Sequence, residues 1–133
     1  MLRTIAVATD GSDTAQQAVA AAFELARRFD AAVLIVTAYS VGATDGSVWA
    51  SNSSTHAERV LAVAEEAAAE QGLACSSAMM EGDPADVIVN LAARHEADLL
   101  VVGNVGMNRR LLGSVPNTVT HKAPCSVLVV KTV

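Results

Sequence analysis

The residues best suited to chemistry lie in the last third of the chain. Asp98 to Val102 reads as a strand. It runs into Gly103-Asn104-Val105-Gly106, and Gly113-Ser114 follows after a six-residue spacer, Met107 to Leu112. An apolar strand, a glycine-spaced turn and a helix start, in that order, leave several backbone N–H groups pointing into one crevice. The positive end of a helix dipole lies beside them, an arrangement that suits a phosphate. Glycine lets the backbone approach a ligand and take φ > 0 where the turn requires it. The same glycines also serve plain turn chemistry, and the two roles are compatible. Ser114 can cap the last helix, bond a phosphate oxygen, or do both. Arg109 and Arg110 sit in the spacer, either as solvated charges or as neutralisers of phosphate charge. Near the amino terminus, Asp10-Gly11-Ser12 offers one acid, as a ligand contact or as part of a helix-entry turn.

Other chemistries lack their residues. The three histidines, His56, His95 and His121, fall on separate predicted helices, and no Cys/His cluster has metal-ligand spacing. No serine stands in a G-x-S-x-G elbow. The G-x-x-x-x-G-K-[ST] phosphate loop and the G-x-G-x-x-G dinucleotide turn are both missing. Cys75 and Cys125 are far apart in apolar contexts, which reads as two reduced core thiols.

These residues must be positioned by a modest scaffold. At 133 residues the chain fits a single domain spanning 1–133, long enough to bury a real core. Half of it is apolar, yet only 3% is aromatic, and much of the apolar content is alanine. That composition favours close packing of helices on a sheet. No run approaches the ~18 apolar residues of a membrane span, and no secretory leader pattern opens the chain. A cytoplasmic protein with no membrane association is expected. A net charge of −5 without a basic block argues against nucleic acid.

The pattern alternates strand and helix. Strands are expected at Thr4 to Ala8, Ala32 to Ala38, Leu73 to Met80, Asp98 to Val102 and Ser126 to Lys131. Helical spacing links Ala15, Val19, Ala22, Phe23 and Ala26, then Ala57, Val60, Leu61, Ala64 and Ala68, then Val87, Ile88, Leu91 and Ala92. Asp13 and Asp83 read as helix-start residues, with Pro84 opening the third helix. Gly72 stops the second. Ser40 to Ser54 reads as a loop that carries Trp49. Such alternation predicts βαβ units, a parallel sheet and helices on both faces, a three-layer α/β/α fold. In open sheets of this class the ligand lies at the carboxyl ends of the strands. Ala8 to Ser12, Ala38 to Ser40 and Gly103 to Ser114 fall there.

The glycine series resembles the C-terminal signature of the universal stress protein family, a Gly-x-x-Gly, a nine-residue spacer and then Gly-Ser or Gly-Thr. The opening Ile5-Ala6-Val7-Ala8-Thr9-Asp10-Gly11-Ser12 and the ending Ala123-Pro124-Cys125-Ser126-Val127-Leu128-Val129-Val130 are also similar to the family. The resemblance covers essentially the whole chain, with a spacer three residues short. It implies a five-stranded sheet of order 3-2-1-4-5, with strands one and four side by side at the switch point. It implies a bound adenine nucleotide contacted by Ala8, Thr9, Asp10, Ala38, Gly82, Val102, Gly103, Asn104, Gly106, Met107, Gly113, Ser114 and Val115. A shorter spacer has fewer amides to wrap a triphosphate, so AMP or cyclic AMP is expected to bind at least as well as ATP. Mg2+ would accompany only ATP.

Three functions compete at this point. One is a stress-response regulator that binds nucleotide without efficient turnover. Another is a dimeric interaction module of the same family that binds none. The third is an enzyme of the wider adenine-nucleotide group, which would require the Ser-Gly-Gly-x-Asp-Ser loop or the His-x-Gly-His pair that this chain lacks. No catalytic residue and no resident metal are expected. Strand five, a flat apolar run at an edge, calls for a second copy of the chain, and the family commonly dimerises this way.

Overall fold

The computed structural model describes residues 2–40, 53–104 and 114–132. Strands and helices alternate as β1 (Thr4–Ala8), α1 (Asp13–Phe29), β2 (Ala32–Tyr39), α2 (Ser54–Glu70), β3 (Cys75–Glu81), α3 (Pro84–Arg94), β4 (Leu99–Gly103), α4 (Ser114–Lys122) and β5 (Ser126–Val130). The five strands form one parallel sheet in the order β3-β2-β1-β4-β5.

Each central strand divides its side chains between two cores, because successive residues point to opposite faces. Ile5 and Val7 of β1, Val33 and Ile35 of β2, and Val101 of β4 meet Ala18, Val19, Ala22 and Phe23 of α1 and Leu61, Ala64 and Ala68 of α2. Ala6 and Ala8, Leu34 and Val36, and Leu100 and Val102 meet Ile88, Leu91 and Ala92 of α3 and Val119 of α4. A strand buried on both faces needs this continuous apolar run. Alanines on the inward helix faces bring the helices close to the sheet.

Local signals set the helix starts. Ser12 caps α1 by accepting a hydrogen bond from the Ala15 N–H, Ser53 caps α2 through the His56 N–H, and Asp83 caps α3 through the Asp86 N–H. Asp13 is the first residue of α1, and Asp83 is the cap itself.

Several boundaries differ from the pattern-based expectation. Leu73 lies outside β3, because its N–H is drawn back to the Ala68 carbonyl at 3.0 Å as the chain wraps the end of α2. Gly72, at φ +71, permits that wrap. His95 caps α3 and does not sit within it. Cys75 and Cys125 are free but half-buried, not core residues: Cys75 opens the edge strand β3, and Cys125 stands just before β5. Gly103 is the last residue of β4, and Lys131 falls beyond β5.

At the amino ends of the strands, Asp98 clips the start of the chain to β4. Its Oδ2 accepts from the Arg3 N–H at 2.9 Å and the Thr4 N–H at 3.0 Å. Those bonds, Thr4's first, hold its carboxyl below the ordinary aspartate range.

Candidate functional site

The chain leaves β1 for α1 on one face of the sheet and leaves β4 for α4 on the other. Because β1 and β4 are neighbours, the connections that leave their carboxyl ends diverge and open a crevice. Ala8, Thr9 and Asp10 line it from β1, and Val102 and Gly103 line it from β4. The first residues of α1 contribute Ser12, Thr14 and Ala15. Ile88 of α3, Val115 of α4 and Thr132 beyond β5 complete the described walls.

Local bonds fix the β1 side. The buried Thr9 donates its N–H to the Val36 carbonyl at 3.1 Å, and its Oγ1 accepts from the Gly11 N–H at 3.1 Å. Asp10 accepts the Ser12 N–H through Oδ1 at 2.9 Å, so the acid braces the turn and remains at the crevice rim. Gly11 is required twice. Its φ is +83, and an added Cβ would stand 2.9 Å from Val60 Cγ2 on α2.

On the β4 side, Asn104 serves the scaffold. Its N–H donates to the Val130 carbonyl at 2.8 Å. Its Oδ1 accepts from the Thr132 N–H at 2.7 Å and from Thr132 Oγ1 at 2.9 Å. The residues after β5 are thereby folded onto the end of β4.

Six of the expected contacts, Ala8, Thr9, Asp10, Val102, Gly103 and Val115, converge on this crevice. Ala38 and Gly82 stand apart from its described walls. Ala38 is buried near the end of β2 in the core under α3, while Gly82 follows β3 at φ +141 and binds the Tyr39 carbonyl. The Asn104 side chain is committed to Thr132 and does not itself line the crevice. Ser114 opens α4. Gly106, Met107, Gly113, Arg109, Arg110 and Trp49 lie outside the described residues.

Thr14, Ala15, Ile88 and Thr132 are lining residues that pattern reading missed. Thr132 was within reach of the rule that ligands sit at the carboxyl ends of strands, applied to strand five. Ile88 was counted in the apolar stripe of α3, where it belongs as well.

Comparison with known proteins agrees along the full length. The sequence profile of the universal stress protein family matches residues 1–131. This chain belongs to the universal stress protein family. A universal stress protein of Mycobacterium tuberculosis is 37% identical over 142 aligned positions, covering 98% of this chain and 97% of its own. A universal stress protein solved in complex with cAMP superposes with a TM-score of 0.79 at 34% identity, covering 99% of each chain. The universal stress protein of Archaeoglobus fulgidus in complex with dAMP gives 0.75 at 27% identity, covering 98% of this chain and all of that one.

The universal stress fold surrounds this crevice with little charge. Asp10 is the one ionisable side chain among its described walls, which otherwise offer the hydroxyls of Thr9, Ser12, Thr14 and Thr132 and apolar surface. No group of three or more His, Cys, Asp or Glu is placed to hold a metal ion among the described residues. No described helix is long and apolar enough to cross a membrane. Burial pushes both thiols above the ordinary cysteine range, with Glu65 adding to the rise at Cys75 and Asp98 at Cys125. Neither site favours a reactive thiolate.

Proposed function

We propose that this universal stress protein is a cytoplasmic homodimer that binds an adenine nucleotide at the carboxyl ends of β1 and β4. It holds the nucleotide without efficient turnover, as a stress-response regulator. The observation that carries the reading is Gly103. Its φ lies outside the left-handed region, so the backbone there does not demand glycine. An added Cβ would meet Thr132 Cγ2 at 3.6 Å, an ordinary contact among the described residues. Gly103 also lines the crevice, and a glycine there supports a close approach of ligand to backbone. Relatives of this fold that hold cAMP and dAMP support an adenine nucleotide as that ligand.

The chemistry of the described walls supports a reading without efficient turnover. Phosphoryl transfer needs an oriented nucleophile and, as a rule, a metal held by carboxylates. Asp10 alone supplies a carboxylate in the described walls, and one of its oxygens is engaged by the Ser12 N–H. Arg109, Arg110 and the amides of Gly106, Gly113 and Ser114 remain the proposed phosphate contacts, with Met107 beside them. Ala38 and Gly82 are proposed to bear on the adenine side. A short spacer favours a single phosphate. The deciding measurement is calorimetry of purified protein, freed of carried-over nucleotide, with AMP, cyclic AMP and ATP. AMP or cyclic AMP is expected to bind at least as tightly as ATP. A tenfold preference for ATP, about 1.4 kcal/mol, would refute the loop-length argument. No binding of any of the three would leave the interaction-module reading in its place.

The homodimer rests on β5. This strand is a sheet edge, and Leu128 and Val129 are 37% and 39% exposed. An apolar edge of this kind invites pairing, and a second copy offers the matching strand through Ser126 to Lys131. Light scattering at tens of micromolar is expected to give a dimer, and Val129→Lys to give a monomer. A monomeric parent would rule out this assembly.

A further inference from the structure

We infer that Thr132 is a specificity-determining residue of the crevice, whose hydroxyl accepts a hydrogen bond from a sugar hydroxyl of the bound nucleotide. The inference deepens the nucleotide reading and rests on it. Thr132 is only 9% exposed, yet it lines the same crevice as Asp10 and Gly103. It lies near Gly103, where a Cβ would stand 3.6 Å from its Cγ2 and 3.9 Å from its Oγ1.

The direction of its hydrogen bond narrows the ligand group to a donor. An amide oxygen can only accept, so the contact between Thr132 Oγ1 and Asn104 Oδ1 at 2.9 Å consumes the hydroxyl proton of Thr132. What the hydroxyl keeps is acceptor capacity. A phosphate oxygen is itself an acceptor and has nothing to give it. A ribose hydroxyl is a donor and fits. The Thr132 N–H is also bound to Asn104 Oδ1, at 2.7 Å, so the residue is held by two bonds and its orientation does not depend on the hydroxyl alone.

The other described walls agree with this polarity. They carry hydroxyls, apolar surface and one acid, with no cation. A neutral nucleoside suits such walls better than a phosphate. The wall formed by Asp10, Gly103 and Thr132 is therefore the sugar side.

The test compares AMP with its 2′-deoxy and 3′-deoxy analogues by calorimetry, on the parent, Thr132→Val and Thr132→Ser, with melting curves to verify folding. In the parent, one deoxy analogue is expected to bind about fivefold more weakly than AMP. In Thr132→Val that gap is expected to close, and in Thr132→Ser to persist. A gap that survives Thr132→Val overturns the inference, as does the lack of any gap in the parent. Equal weakening of all three nucleotides by Thr132→Val assigns the residue a purely structural role and also overturns it. If Thr132→Val fails to fold, Thr132→Ala makes the same comparison. A parent that binds no adenine nucleotide overturns both this inference and the functional reading. Binding of AMP without dependence on Thr132 overturns this inference alone.

Discussion

Gly103→Ala is expected to fold at least as stably as the parent and to lose adenine-nucleotide binding by tenfold or more. The two effects have separate causes. Gly103 ends β4 with a backbone that any L-residue adopts, and the described neighbours leave room for a methyl group. Removing glycine reduces the freedom of the unfolded chain, which stabilises by about 0.4–1 kcal/mol at compatible positions. At a residue that lines the crevice, a methyl group is expected to hinder the close approach of backbone and ligand that the proposed site needs. Urea titration and calorimetry on one preparation separate the outcomes. A variant that is destabilised by more than about 1 kcal/mol would mean that Gly103 serves the fold. One that binds AMP like the parent would remove the main support for the proposed site.

Gly11→Ala should have the opposite signature, a loss of about 2–4 kcal/mol of stability. The backbone at φ +83 is unfavourable for alanine. The new Cβ would also lie 2.9 Å from Cγ2 of Val60, a buried, β-branched side chain with little freedom to move aside. In a Val60→Ala background the loss caused by Gly11→Ala should be smaller, because the overlap is relieved and the φ penalty is left. A loss below about 1 kcal/mol in the single variant would contradict this account of the turn. Nucleotide affinity should fall as well, because the Gly11 N–H holds Thr9 Oγ1 and the same turn presents Asp10.

Much of this architecture was legible beforehand. Ile5 to Ala8, Val33 to Val36 and Leu100 to Val102 are uninterrupted apolar runs, and a strand buried on both faces produces that pattern. The β1 and β4 walls of the crevice followed from where those runs stop. Strand order did not follow from pattern, because periodicity is local and neighbour choice depends on crossovers. It came from the family resemblance. Leu73 was assigned to a strand because hydrophobicity cannot distinguish a strand start from a residue pulled back onto a helix end. Ile88 hid within the stripe of α3 for a similar reason, since core contacts and crevice contacts look alike in sequence. Thr132 carried only the signal of its place after strand five. Its bonds to Asn104, which fix its orientation, are visible in the structure alone.

The place of β1 between β2 and β4 also determines when the protein can finish folding. Thr4 and Asp98 meet across 94 positions of sequence, and Ile5 pairs with Leu99. A chain emerging from the ribosome can form β1, β2 and β3 with their helices early, because those contacts are successive. Throughout that interval one side of β1 has no neighbour, although Ile5, Ala6 and Val7 are wholly buried in the finished protein. An open apolar edge at the centre of the future sheet is an aggregation hazard for as long as it lasts. Closing a loop of that length is slow compared with local pairing. The last third of the chain thus also completes the sheet, and nascent chains cut short before Leu99 are expected to leave that apolar edge unpaired.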